Sequence, residues 1–92
     1  MSMNASQVIA QHTSYTLDNI ETIYQQLRDA DAAPSQTYSL SHVSEIDTAG
    51  AQVLLSFALS TEATYSNSSS AVTTFIISTG LNTHFPFAVN EA

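Results

Sequence analysis

Asp47 and Thr48 are the residues of this chain whose types and position come closest to supporting chemistry. They directly follow a segment expected to form a buried strand, and an apolar stretch begins at Ala51. The first N–H groups of a helix lack backbone partners, and the side-chain oxygen of an Asp or Thr can cap them. A helix starting here would also present the Thr48 hydroxyl to a partner. Capping alone explains both residue types as well, so the residues by themselves leave the two interpretations open.

Other arrangements that support catalysis or ligand binding are missing from the sequence. No Gly-x-Ser-x-Gly motif marks a nucleophile, and His12, His42 and His84 lack the short spacing of a metal-binding pair. The two glycines, Gly50 and Gly80, do not form a phosphate-binding loop, and we expect close packing or a positive φ there. The sequence therefore predicts no enzyme, no cofactor and no metal site.

Length and charge restrict the class of protein further. Ninety-two residues predict a single domain over residues 1–92, and 43% hydrophobic residues predict a packed core. Arg28 is the only Lys or Arg against eight acidic residues, giving a formal charge of −7, which argues against nucleic acid and anionic lipid as partners. The acidity is compatible with a basic partner protein or with a role in solubility alone. No apolar run is long enough to span a bilayer and no secretory signal is visible, so we expect a cytoplasmic protein without membrane insertion.

The first half of the chain predicts a strand, a helix and a second strand. Val8-Ile9-Ala10 has the composition of a short edge strand. A helical stripe then begins at Leu17, with Thr16 or Asp18 as its N-cap, and Pro34 follows its end. A strand is expected over Gln36 to Leu40. The apolar members of the stripe are Leu17, Ile20, Ile23, Tyr24, Leu27 and Ala30.

In the second half, a helix is expected from about Thr48 to Leu59. Its predicted buried face is Ala51, Leu54, Leu55, Ala58 and Leu59, at spacings of three and four. A strand is expected near Ala63 to Ser66. The segment from Ala71 to Ile77 is rich in β-branched residues and favours a strand by propensity alone.

Two sets of residues together resemble STAS domains, the sulfate-transporter and anti-sigma-factor-antagonist family. The first is Asp47-Thr48-Ala49-Gly50 between a strand and an apolar helix, because members of the family carry Asp-Ser/Thr-Ser/Ala-Gly at that junction. The second is an ordered series along the C-terminal third: Asn67, Ser68 to Ser70, Ala71-Val72, Phe75-Ile76, Thr79-Gly80-Leu81 and Phe85-Pro86. The resemblance implies a helix from about Ser70 to Ser78 with Gly80 as its left-handed cap. It also implies an α/β fold, in which a small mixed sheet of about four strands packs against helices.

The resemblance further implies a regulatory switch that acts by protein–protein interaction. In partner-switching STAS proteins a cognate kinase phosphorylates the hydroxyl residue after the Asp and is also the binding partner, and Thr48 holds that position. The partner is then an anti-sigma-factor kinase or a chemotaxis-type histidine kinase system. The alternative is a small subunit that binds the ATPase of a phospholipid-transporting ABC system, where the Thr acts by contact. In both cases the contact surface is Glu45, Asp47, Thr48, Ala51 and Gln52.

Overall fold

A computed structural model describes residues 4–81 and 85–87. Short strands alternate with helices along these residues, so the α/β class is confirmed. None of the helices in these two ranges is long and apolar enough to cross a membrane. The elements are α1 (Ala5–Gln11), β1 (Ser14–Tyr15), α2 (Ile20–Asp29), β2 (Thr37–Ser39), β3 (Glu45–Ile46), α3 (Thr48–Thr61), β4 (Thr64–Ser66) and α4 (Ser70–Thr79).

The segment predicted as the first strand is helical. Asn4 and Gln7 form a reciprocal capping box, in which the Asn4 side chain accepts from the Gln7 N–H at 2.8 Å and the Gln7 side chain accepts from the Asn4 N–H at 3.1 Å. Ala5, Val8 and Ile9 are buried, at the spacing of one helix face. The prediction of a strand over Val8 to Ala10 is therefore wrong, because the cap and the buried face both favour a helix.

The strands form two separate parallel pairs instead of one mixed sheet. β1 pairs with β3, with Tyr15 opposite Ile46, and β2 pairs with β4, with Tyr38 opposite Tyr65. The predicted sheet of about four strands is thus not formed by the described residues. One strand expected for that sheet, Val8 to Ala10, lies in α1, whose backbone groups bond within the helix and cannot extend a sheet.

Helix α2 begins three residues later than the predicted stripe. Asn19 is its N-cap residue, in place of Thr16 or Asp18, but makes no capping bond. The Asn19 side chain instead accepts from the Thr16 N–H at 3.1 Å and donates to the Ser14 carbonyl at 2.6 Å, which holds a turn after β1. Leu17 lies in this turn and is 74% exposed, so its assignment to the buried stripe is wrong. Ile23 and Leu27 are buried as predicted, whereas Tyr24 is exposed.

Helices α3 and α4 lie where they were predicted. Ala51, Leu54 and Ala58 on α3 are buried as predicted, and Phe57 completes their face. Leu55 is half-buried at the margin of that face. Leu59 is 76% exposed because it lies on the solvent-facing side of the helix, so its assignment to the buried face is wrong. α4 begins with the Ser69 side chain accepting from the Val72 N–H at 3.2 Å. It ends at Gly80, whose φ of 75° is left-handed. These two caps favour a helix over the strand propensity of the intervening residues.

Two buried tyrosines connect the layers of the core. The Tyr15 hydroxyl donates to the Ile9 carbonyl of α1 at 2.7 Å, and the Tyr65 hydroxyl donates to the Leu54 carbonyl of α3 at 2.6 Å. Burial raises the pKa of both hydroxyls, so they remain protonated donors. The core therefore holds α1 and α3 against the strands by directional bonds as well as by apolar contact.

The two leucines of α3 give a test of this packing. Leu54 is fully buried and Leu59 is 76% exposed. We expect Leu54→Ala to lower the free energy of unfolding by about 2 to 5 kcal/mol, since it leaves a cavity. The matched change Leu59→Ala should lower it by less than about 0.5 kcal/mol. Urea unfolding followed by circular dichroism measures both, and a loss below about 1 kcal/mol for Leu54→Ala would contradict the assigned face.

Candidate functional site

Asp47 joins the first turn of α3 to the turn that follows β1. One carboxylate oxygen accepts from the Gly50 N–H at 3.0 Å, as a helix cap, and the other accepts from the Leu17 N–H at 2.9 Å. The Asp47 N–H donates to the Tyr15 carbonyl at 3.1 Å. The carboxylate is thus occupied within the protein, and it positions both turns.

The electrostatics of Asp47 follow from these bonds. The N–H groups of Gly50 and then of Leu17 lower the pKa of the carboxyl below its ordinary value of 3.8, while burial opposes the shift. Hydrogen bonds to the ionised form favour that form. Asp47 is therefore ionised at neutral pH, and its negative charge lies at the positive end of the α3 dipole.

Gly50 sets how closely α3 approaches β1. A Cβ atom at this position would lie 1.9 Å from the Tyr15 carbonyl oxygen and 2.6 Å from the Tyr15 carbonyl carbon. Both are backbone atoms that cannot move aside as a side chain does. The first turn of α3 therefore rests directly on the backbone of β1, which confirms close packing as one of the expected roles of glycine in this chain.

Thr48 is the first residue of α3 and is exposed. Its hydroxyl makes no hydrogen bond within the described part of the chain, because Asp47 provides the cap. The hydroxyl lies at the end of the helix where unpaired N–H groups favour an anion. Thr48 is thus accessible to a partner and lies directly beside the ionised Asp47 carboxylate.

The structure separates the other members of the predicted contact surface. Glu45 in β3 and Gln52 in α3 are both exposed, as Thr48 is. Ala51 is 1% exposed and belongs to the core, so its side chain is not part of an exposed surface. From the sequence alone, Ala51 could belong either to the buried face of α3 or to the surface that includes Thr48. Because α3 packs closely against β1 at Gly50, Ala51 belongs to the buried face.

The exposed face of α3 carries no charge. None of the residues from Thr48 to Thr61 is acidic or basic, although the chain as a whole has a formal charge of −7. Depletion of charged side chains distinguishes the centre of protein interfaces from the rest of a protein surface. The exposed residues of this face are Thr48, Gln52, Ser56, Leu59 and Ser60.

Leu17 is the residue of this region that the sequence analysis missed. Its N–H is bound by the same carboxylate that caps α3, so the Leu17 backbone is held beside the start of that helix. Exposed leucines are common singly, but this one is 74% exposed on a turn fixed by hydrogen bonds. Its spacing of three from Ile20 matched a helical stripe, and no signal in the sequence separated it from the core.

His12 and His42 each lie within hydrogen-bond distance of another part of the chain. A ring nitrogen of His12 is 2.6 Å from the Gln26 side-chain oxygen, and one of His42 is 2.7 Å from the Ile9 carbonyl oxygen. His84 lies outside the described residues. Within the described ranges, no three His, Asp or Glu side chains are placed to hold a metal ion.

Comparisons of the chain with models of protein families, with curated proteins and with solved structures found no match.

The two hydrogen bonds of Asp47 predict graded effects of substitution. Asp47→Ala removes both acceptors and should lower the free energy of unfolding at neutral pH by about 0.5 to 2 kcal/mol. Asp47→Asn keeps one carbonyl oxygen, so it retains one of the two bonds and should lower the free energy of unfolding by less than Asp47→Ala does. The control is Asp18→Asn, next to Leu17 in the turn after β1, which should change the free energy of unfolding by less than about 0.5 kcal/mol.

The lowered pKa also predicts how the effect of Asp47 depends on pH. A carboxyl whose pKa is lower in the folded state contributes stability above its unfolded pKa, and this contribution is lost as the pH falls through the folded value. The difference between the wild type and Asp47→Asn should therefore hold from neutral pH to about pH 4 and shrink below it. Urea unfolding at a series of pH values measures it, and a difference that grows below pH 4 would contradict the assignment.

Proposed function

We propose that this protein is a regulated protein-docking module of the STAS type, which binds its partner through the start and the exposed face of α3. The observation that carries the proposal is the position of Thr48. It is an exposed residue at the start of α3, a helix without charged residues, and Asp47 caps that helix, so the Thr48 hydroxyl is not used as the cap. The motif of the sequence, Asp47-Thr48-Ala49-Gly50, is the reason for the STAS assignment. The protein acts by binding and has no catalytic turnover of its own.

Rigidity supports a docking role for this surface. Gly50 and Leu54 are packed into the core, and Asp47 bonds to both neighbouring turns. A partner that binds here meets an ordered surface, so it does not have to order α3 on association. Because the helix face is uncharged, burial in an interface removes no charge from water.

Leu17 extends this surface with an apolar contact. Exposed apolar side chains that enter a pocket of the partner contribute strongly to binding when they lie near the centre of an interface. The proposed contact set is therefore Leu17, Glu45, Thr48 and Gln52, with Asp47 as a positioning residue. The net charge of −7 favours a partner that is basic overall, with an uncharged surface opposite Thr48.

Phosphorylation of Thr48 provides the regulation. In this step the Thr48 oxygen attacks the γ-phosphorus of ATP bound to the partner kinase, and a new O–P bond forms. The bond between the γ-phosphorus and the bridging oxygen of ADP breaks, so ADP leaves. The hydroxyl proton passes to a base of the kinase. The phosphate adds about 1.5 to 2 negative charges. The folded domain tolerates them at a helix N-terminus, but a docked partner would have to bury them without a matched charge, so the complex dissociates.

Two classes of partner are compatible with this surface. In the leading proposal the partner is an anti-sigma-factor kinase, which phosphorylates Thr48 and so ends the complex, or a histidine kinase system. In the alternative the partner is the ATPase of a phospholipid-transporting ABC system, and Thr48 acts by contact alone. Incubating the protein with the identified partner and radiolabelled ATP separates them, because only the kinase transfers phosphate to Thr48.

Substitutions at Thr48 test the docking surface. Thr48→Glu should weaken partner binding by about tenfold or more, since an unpaired charge is buried in the complex, while stability changes by less than about 1 kcal/mol. Thr48→Ala should bind more nearly like the wild type, because it leaves a small uncharged surface. Calorimetry with the partner identified by cross-linking from native lysate measures the affinities.

The matched control is Thr73→Glu, which adds the same charge at an exposed threonine near the start of α4. It should leave partner binding unchanged. Wild-type affinity for Thr48→Glu and Thr48→Ala alike would show that the start of α3 is only a capped helix end and that the interaction surface lies elsewhere.

A further inference from the structure

A groove of about 490 Å³ lies between the C-terminal halves of α2 and α3. We call it the α2–α3 groove. Its apolar lining includes Leu27, Val53 and Phe57, and its polar lining includes Arg28 and Ser60. This volume is within the range of sites that bind small organic molecules, about 300 to 1,000 Å³. Ser56 and Ser60 line the groove and also belong to the exposed face of α3, so the groove adjoins the proposed docking surface, whereas Thr48 lies outside it.

Arg28 gives the groove its chemical character. It is the only Lys or Arg of the chain, and its guanidinium carbon lies 6.0 Å from the centre of the Tyr24 ring, which also lines the groove. The ring favours a cation at this place. The guanidinium therefore has a preferred position at the edge of the groove.

The local ion pair of Arg28 is weak. Its Nε atom is 3.9 Å from the Asp29 carboxylate, and the two side chains are 58% and 75% exposed. Pairs of this exposure contribute little, because solvent screens them. Arg28 is thus able to give its N–H donors to another carboxylate, and a guanidinium binds a carboxylate through two parallel hydrogen bonds.

We propose that the α2–α3 groove binds a small organic carboxylate with an apolar body. The apolar body packs against Leu27, Val53 and Phe57, and the carboxylate pairs with Arg28. A net charge of −7 disfavours an anion over most of the surface, and Arg28 is the one basic residue that opposes it. The C-terminal ends of α2 and α3 lie at the groove, and the carbonyl groups at a helix C-terminus disfavour an anion. The preference for a carboxylate therefore depends on Arg28.

Nuclear magnetic resonance titration with a matched pair of probes tests the proposal. The probes are 4-phenylbutyrate and the alcohol 4-phenylbutan-1-ol, which share the apolar body and differ in charge. Both should shift the amide signals of groove residues, with dissociation constants on the order of millimolar. The carboxylate should bind about fivefold more tightly than the alcohol, as expected for an exposed charge pair.

Two neighbouring substitutions should act in opposite directions. Arg28→Gln should remove the preference for the carboxylate over the alcohol, and Asp29→Asn should increase it, because the competing carboxylate is gone. Both residues are exposed, so the urea midpoints should stay close to that of the wild type. Equal affinity for the two probes, an unchanged preference in Arg28→Gln, shifts that map outside the groove, or no shifts at all would each overturn the proposal.

Discussion

Helix α3 can rest on strand β1 only because residue 50 is glycine. Any Cβ atom there would lie 1.9 Å from the Tyr15 carbonyl oxygen, far inside the contact distance of two atoms. The same carbonyl accepts a hydrogen bond from the Asp47 N–H. The Tyr15 carbonyl therefore contacts both Asp47, which joins β3 to α3, and Gly50 in the first turn of α3. The position of α3 relative to the β1–β3 pair is thus set by backbone contact at its first turn.

The exposed surface follows from this constraint. With Gly50 and Ala51 against the core, the opposite side of the first turn must face solvent, and Thr48 lies there. Asp47 then holds Leu17 beside the same helix end. The later turns of α3 bury Leu54 and Phe57 and form one wall of the α2–α3 groove. One helix therefore supports both proposed binding surfaces, which adjoin at Ser56 and Ser60.

The sequence predicted the elements whose ends carry strong local signals. A cap by Asp47 or Thr48 depends on neighbouring residues alone, and the structure shows Asp47 in that role. The helix that ends at Gly80 is also confirmed, but it is the family resemblance that implies it, because the propensity of residues 71–77 favours a strand. The segment Val8 to Ala10 has too few residues to show a period, so the cap at Asn4 decided its structure. Leu17 and Leu59 matched the spacing of buried faces, but their exposure depends on where α2 begins and how α3 is rotated against β1. Those are properties of the tertiary packing and are not encoded by spacing.

The free energy of unfolding of Gly50→Ala tests the central constraint most directly. In a helix without such a contact, replacing glycine by alanine stabilises by about 1 kcal/mol, because alanine is the better helix former. The contact with Tyr15 should reverse the sign and destabilise the protein by about 2 kcal/mol or more, since backbone has to move to admit the methyl group. Ser56→Ala, on the exposed face of the same helix, calibrates helix propensity and should stabilise slightly. A Gly50→Ala variant that is more stable than the wild type would contradict the account, because α3 would then not be held against β1 as described.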